Sequence, residues 1–124
     1  MTKKTKQDQE KNKLVELIVM GLEDKKAKDI QILDLRHLPN AVCAYFIVAT
    51  GDSTTQVKAL CDSVYDKVYK ESNEKPWHIE GEQNAEWVLV DYSDVVCHIF
   101  LPEVREFYGL ESLWADAEIT HVAS

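Results

Sequence analysis

Glycine, proline and cysteine are all scarce, with 4, 3 and 3 residues in a chain of 124. So little Gly and Pro excludes collagen-like and Pro/Gly-rich low-complexity architectures. The three cysteines, Cys43, Cys61 and Cys97, are odd in number and lack CxxC spacing, which rules out a complete disulfide framework. All three lie in apolar stretches, so buried free thiols in a reducing compartment are expected. No apolar run approaches the roughly 20 residues of a membrane span. Residues 1–13 have no apolar core of a signal peptide, and their Lys-rich, Arg-free start with Asp8 and Glu10 does not suit a transit peptide. A cytoplasmic location is the expectation. Positive charge is also in deficit: 14 Lys and Arg face 22 Asp and Glu, a net charge of −8. That balance argues against a general nucleic-acid binder, because phosphate affinity needs Lys and Arg. It suits a basic partner or plain solubility.

What is present is ordinary globular material, with 45% hydrophobic and 29% charged residues. The length allows one domain that buries roughly two-thirds of its unfolded surface. Residues 1–12 hold no Leu, Ile, Val or aromatic and read as a flexible basic tail. Leu14, Leu17, Ile18, Gly21 and Leu22 recur at helical spacing. Ile30 to Leu35 reads as a strand, and His37-Leu38-Pro39-Asn40 breaks it. Cys43 to Thr50 is apolar and rich in β-formers, as in a strand covered on both faces. Ser53, with Gln56 three residues on, opens a helix by a capping box, and Val57, Leu60, Cys61, Val64 and Val68 form its buried stripe. Trp77 to Ile79 is a short strand. Glu86 to Tyr92 and Val95 to Leu101 flank Ser93-Asp94 as a hairpin. Pro102 starts a short helix, and Leu110, Leu113 and Trp114 form a last apolar turn. The expected fold is α/β: one domain over 13–118, a mixed sheet of about five strands with packed helices, and a flexible tail over 119–124.

Several residues could carry chemistry. Asp91 and Asp94 could form a two-metal carboxylate pair, but such a pair needs even spacing on a strand, and here the spacing is three and crosses a turn. Cys97 and His98 are adjacent on a strand and point to opposite faces, so they do not share a zinc. His37, His78 and His121 have no partner at metal spacing. Gly51-Asp52-Ser53-Thr54-Thr55 could cradle a phosphate at a helix start, yet it lacks the spacing of a phosphate loop and Asp52 repels anions. No metal or cofactor is expected.

The charge distribution is more telling. From Pro76 onward ten acids face a single base, Arg105, for a net −9, whereas residues 1–75 net +1. The acidic half also holds all three tryptophans, Trp77, Trp87 and Trp114. Aromatic anchors rimmed by carboxylates suit a surface that reads a basic protein. The alternative is that the tryptophans fill the core and the acids solubilise its rim.

Residues 14–118 resemble the ribosome silencing factor family, also called Iojap. The resemblance rests on Ala44-Tyr45-Phe46-Ile47-Val48-Ala49-Thr50-Gly51, Ser53 with Gln56-Val57, Glu80-Gly81, Trp87-Val88-Leu89-Val90-Asp91-Tyr92, Asp94-Val95-Val96, His98-Ile99-Phe100, Arg105, Tyr108, Leu110-Glu111 and Leu113-Trp114. It implies a small mixed-sheet domain of nucleotidyltransferase-like shape that is not an enzyme. It further implies binding to the large ribosomal subunit through its basic ribosomal protein number fourteen. The bound factor would block joining of the small subunit and so repress translation when nutrients are limiting. Organellar relatives imply an alternative role in large-subunit assembly. A third reading is a metal-dependent nucleotidyl or phosphoryl transferase using Asp91 and Asp94. Carried onto this chain, the resemblance puts partner contacts at Glu80, Gly81, Trp87, Asp91, Tyr92, Asp94 and His98. Trp87 would be the anchor, Glu80, Asp91 and Asp94 would pair with Lys or Arg, and Gly81 would let its turn approach closely. A homodimer through the aromatic half or a sheet edge is a further expectation; a membrane or a specific nucleic-acid sequence is not. Two departures stand out. Ala44 replaces a commonly acidic residue. Ser93 fills a turn position usually held by Gly, where positive φ would cost Ser roughly 1 kcal/mol, so a different turn geometry is expected.

Overall fold

The computed structural model describes residues 6–122. Its centre is the parallel pair β2 (Tyr45–Thr50) and β5 (Val95–Phe100), in which all residues of both strands are buried. Two parallel strands need a long crossover between them. The chain supplies it as helix α2 (Thr54–Ser72), edge strand β3 (His78–Glu80) and β4 (Trp87–Asp91). Before β2 come helix α1 (Lys6–Asp24) and strand β1 (Lys28–Asp34). After β5 come the short helices α3 (Pro102–Tyr108) and α4 (Leu110–Leu113) and the last strand, β6 (Glu118–His121). The strands form one mixed sheet in the order β3-β4-β5-β2-β1-β6, antiparallel at every pairing except β2 with β5.

Helices α1 and α2 cover one face. Ile47, Ala49, Val88, Val90, Cys97 and Ile99 from the sheet pack there on Ile18, Leu22, Leu60 and Val64. The stripe expected on α2 is buried in full. Gly21 lets the helices touch: a Cβ there would lie 2.9 Å from Val64 Cα, and the Ser63 hydroxyl donates to the Gly21 carbonyl at 2.7 Å. Ser53 caps α2 by accepting from the Gln56 amide at 3.1 Å. Gln56 does not close the box on Ser53. Its Oε1 accepts from the Asp52 amide at 2.7 Å, and its Nε2 donates to the carbonyls of Lys25 and Lys26, so one side chain ties the start of α2 to the end of α1.

Three expectations are corrected. The tail expected over 1–12 is helical from Lys6, because Lys, Gln and Glu extend a helix whose packing starts at Leu14; residues 1–5 lie outside the described residues. The tail expected over 119–124 contributes β6, whose four residues pair with Gln31 to Asp34 of β1, giving six strands rather than about five; residues 123 and 124 also lie outside the description. Ser93 keeps the left-handed conformation usual for Gly at this turn, with φ +76°. Its amide donates to Asp91 Oδ1 at 2.7 Å, a local bond that helps hold the strained residue. Ser93→Gly should therefore raise the unfolding free energy by roughly 0.5–1 kcal/mol, read from the midpoint of urea denaturation at unchanged slope.

Candidate functional site

The second face of the sheet is covered unevenly. Helix α4 and the Leu35 to Ala41 segment lie over β1 and β2, where Leu33, Leu35, Phe46, Val48 and Leu110 are buried. Over β4 cover is thin: Trp87, Leu89 and Asp91, which alternate with the buried Val88 and Val90, are only partly buried. Next to them β3 presents His78 and Glu80, registered opposite Asp91 and Leu89.

Trp87 and His98 form a unit on this face. The indole Nε1–H donates to His98 Nδ1 at 3.1 Å. Nδ1 is then a lone-pair acceptor, and neutral His98 carries its proton on Nε2. The ring is 4% exposed, flanked by Phe46 edge-on at 4.7 Å and Phe100 stacked at 6.1 Å. Nε2 is buried without a hydrogen-bond partner among the described residues. Burial pushes the imidazole down to about 4, against the opposing pull of the Asp91 charge. His98 is therefore neutral near pH 7, which is what the indole donor requires.

A row of rings runs outward from this unit. Phe100, Trp87, Tyr108 and Phe107 follow one another with centroid separations of 4.9, 4.8 and 5.1 Å. The row starts fully buried at Phe100 and ends at Phe107, which is 81% exposed. Tyr108 is 55% exposed, and Leu113 on α4 is 75% exposed. Helix α3 buries none of its residues. Sequence reasoning placed none of Phe107, Tyr108 and Leu113 among the expected contacts. The available signal was that two aromatics adjacent on one short helix point in different directions, so both do not pack inward.

Arg105 anchors α3 beneath this row. It donates to Glu111 at 3.0 Å, to the Asp29 carbonyl at 2.8 Å and to Thr50 Oγ1 at 2.7 Å. The one base of the acidic half is thus spent on holding helices to the sheet.

The expected contact residues separate into groups. Glu80 and Asp91 lie on the open face and share His78, whose Nε2 is 3.3 Å from Glu80 and 3.6 Å from Asp91. Asp94 is exposed in the hairpin turn, and its carbonyl accepts from the Ala44 and Tyr45 amides. Gly81 has φ +86°, and a Cβ there would overlap the Trp87 carbonyl oxygen. The close approach it permits in this structure is to β4 of its own chain. Tyr92 is 6% exposed and packs in the core under α1 and α2, the face opposite Trp87, so it cannot share a surface with the others. His98 lies beneath Trp87, 4% exposed.

The chemical alternatives find different geometry. Asp91 is engaged by the Ser93 amide and His78. Cys97 and His98 lie on opposite faces, as the strand period requires. Among the described residues, the one grouping of three metal-capable side chains is Cys61, Asp62 and Glu82, which includes neither Asp91 nor Asp94. Burial pushes the Cys61 and Cys43 thiols up to about 12, and that of Cys97 higher still. Asp52, beside Gly51, is paired with Lys28 at 2.7 Å.

The sheet face over β4 thus carries graded aromatics beside the carboxylates of Glu80 and Asp91. The family model described as "Ribosomal silencing factor during starvation" matches residues 8–124, and the chain belongs to that family. It is 49% identical over 98 residues to the ribosomal silencing factor RsfS of Chromobacterium violaceum, covering 79% of each chain. It is 30% identical over 121 residues to the mouse "Mitochondrial assembly of ribosomal large subunit protein 1", covering 89% of this chain and 50% of that one. A crystal structure of a Chromobacterium violaceum protein superposes with a TM-score of 0.79 at 41% identity, covering 91% of this chain and 92% of that one. No helix among the described residues is long and apolar enough to cross a membrane.

His98 carries a pH consequence. Its folded value lies below the unfolded value of 6.5, so the unfolded chain binds more protons between about pH 4 and 6.5. Stability from this residue is complete above pH 6.5 and falls as pH drops through that window. The wild type should lose roughly 2 kcal/mol more unfolding free energy than His98→Gln between pH 7 and pH 5, measured by urea denaturation of both. Equal losses would contradict a neutral buried imidazole.

Proposed function

We propose that this protein is a non-catalytic translation repressor of the cytoplasm. It docks on the large ribosomal subunit through the basic ribosomal protein number fourteen and blocks joining of the small subunit, above all when nutrients are limiting. The observation that carries this reading is the row Trp87, Tyr108 and Phe107 on a sheet face left open beside Glu80, Asp91 and Asp94. Aromatic groups supply the desolvated centre of such a contact, and the carboxylates steer and pair with Lys or Arg at its rim. Occlusion needs no chemistry, only occupation of a surface that the small subunit also uses. Family membership supports the ribosomal target, and the name of the mouse relative supports the large subunit.

That same name favours a second reading, large-subunit assembly, which would use the same contact at an earlier stage. Ribosomal particle profiles from a deletion strain separate the two: precursor particles accumulate if assembly is the role, and mature subunits associate to excess in starvation if silencing is. The expected homodimer would draw on the same exposed aromatics or on the sheet edges β3 and β6, and sedimentation equilibrium checks it.

The central test is sedimentation with purified large subunits. Wild-type protein should bind them and be displaced by small subunits. Trp87→Ala should weaken binding by at least about 2 kcal/mol while the chain stays folded, and Tyr108→Ala by about 1–2 kcal/mol. Normal co-sedimentation of both folded variants would remove the docking face. Association should also slow as ionic strength rises, since steering between exposed charges is screened over about 8–10 Å at physiological salt. An on-rate that ignores salt would assign the contact to its apolar part alone.

A further inference from the structure

We infer that His98 is a positioning residue for docking: its Nδ1 lone pair fixes the Trp87 indole, and through it the Tyr108 and Phe107 rings, before a partner arrives. The inference rests on the docking reading above. Three observations carry it. His98 is 96% removed from solvent and still offers its one acceptor to the indole at 3.1 Å. Its ring is clamped by Phe46 and Phe100, and its strand neighbours Val48 and Leu89 offer no competing polar group. The next ring outward, Tyr108, touches Trp87 and hands the placement on to Phe107 at the surface.

The arrangement has a chemical logic. Indole is a donor without an acceptor function, so on an apolar face it needs a neutral nitrogen or an oxygen as partner. Most core positions would serve better with Phe or Leu, since a buried polar atom without a partner is costly, and Nε2 here has none among the described residues. The polar ring is therefore not explained by packing. It is explained if one orientation of Trp87 matters. A surface ring held in its bound position loses less conformational freedom on association, which strengthens binding without adding a contact. Asp91, the charged group whose field reaches His98, lies on the same strand as Trp87 two positions beyond the intervening Leu89 pair, so the indole and the rim carboxylate are set by one strand.

The test is a double-mutant cycle with a spectroscopic readout. His98→Phe keeps an aromatic ring and removes the acceptor, while His98→Gln keeps an acceptor. His98→Phe should weaken large-subunit binding about tenfold in the wild-type background and less than about twofold in the Trp87→Phe background, with His98→Gln recovering much of the loss. Of the three indole N–H signals in the proton–nitrogen spectrum, the one that vanishes in Trp87→Phe should shift and exchange faster with solvent in His98→Phe, and return towards its original place in His98→Gln. Circular dichroism confirms that each variant is folded. Equal losses from His98→Phe in both backgrounds, or full binding by His98→Phe alongside weak binding by Trp87→Ala, overturn the inference and leave the docking face intact. Normal binding by Trp87→Ala and Tyr108→Ala removes the docking reading instead, and the indole signal still reports whether His98 holds the ring.

Discussion

The parallel pairing of β2 with β5 is the constraint from which the other elements follow. Both strands are apolar at nearly every position, so both faces of the pair need cover. Helices α1 and α2 supply it on one side with a continuous core. The other side receives only the short helices α3 and α4 and a loop, and these reach over β1 and β2. Among the described residues, the strip above β4 and the end of β5 has no helix of its own. Its cover is a set of rings: Phe46, His98, Phe100 and Trp87, with Tyr108 leaning in from α3. The face proposed for docking is thus the part of the core that the chain closes with side chains alone.

This origin explains why the surface is graded. Phe100 is fully buried, Trp87 partly so, and Phe107 is almost entirely in solvent. Energy gained on burial scales with apolar area, at about 25 cal/mol per Å², so the outer rings hold the area that folding leaves unburied. The inner rings are already invested in folding. Arg105 follows the same division, since its charge is neutralised by Glu111 and its fork binds Asp29 and Thr50. The acidic half consequently carries almost undiluted negative charge.

Most of the fold was legible because its elements announce themselves locally. The period-3.6 stripe on α2, the Ser53 cap, the unbroken apolar run of β2 and the hairpin around Ser93-Asp94 each need only a few neighbouring residues to be recognised. Strand β6 was not legible. Glu118 to His121 has no apolar run, and it is a strand because β1 offers it a ladder. The site was half legible. Strand alternation placed Trp87, Leu89 and Asp91 on one face, as the structure has them. The hidden part was depth. Nothing local says that Tyr92, next to Asp91, packs under α2, that His98 supports the indole from below, or that Gly81 is spared a side chain by its own β4. The turn at Ser93 shows the converse: the strain foreseen for a non-glycine residue is present, and the chain keeps the geometry nonetheless.

Strand β3 is three residues long and forms one edge of the sheet. Its free side offers room for very few main-chain bonds, and it carries His78 and Glu80 outward, with Trp77 beside it 80% exposed. Short, charged edges resist the strand addition that seeds fibrils, whereas an exposed Trp beside them invites sticking. The chain therefore guards its backbone edge while leaving aromatic surface bare. Edge pairing and side-chain exposure are thus separated in space: the backbone ladder ends in a three-residue strand, and the bare aromatic area lies beside it.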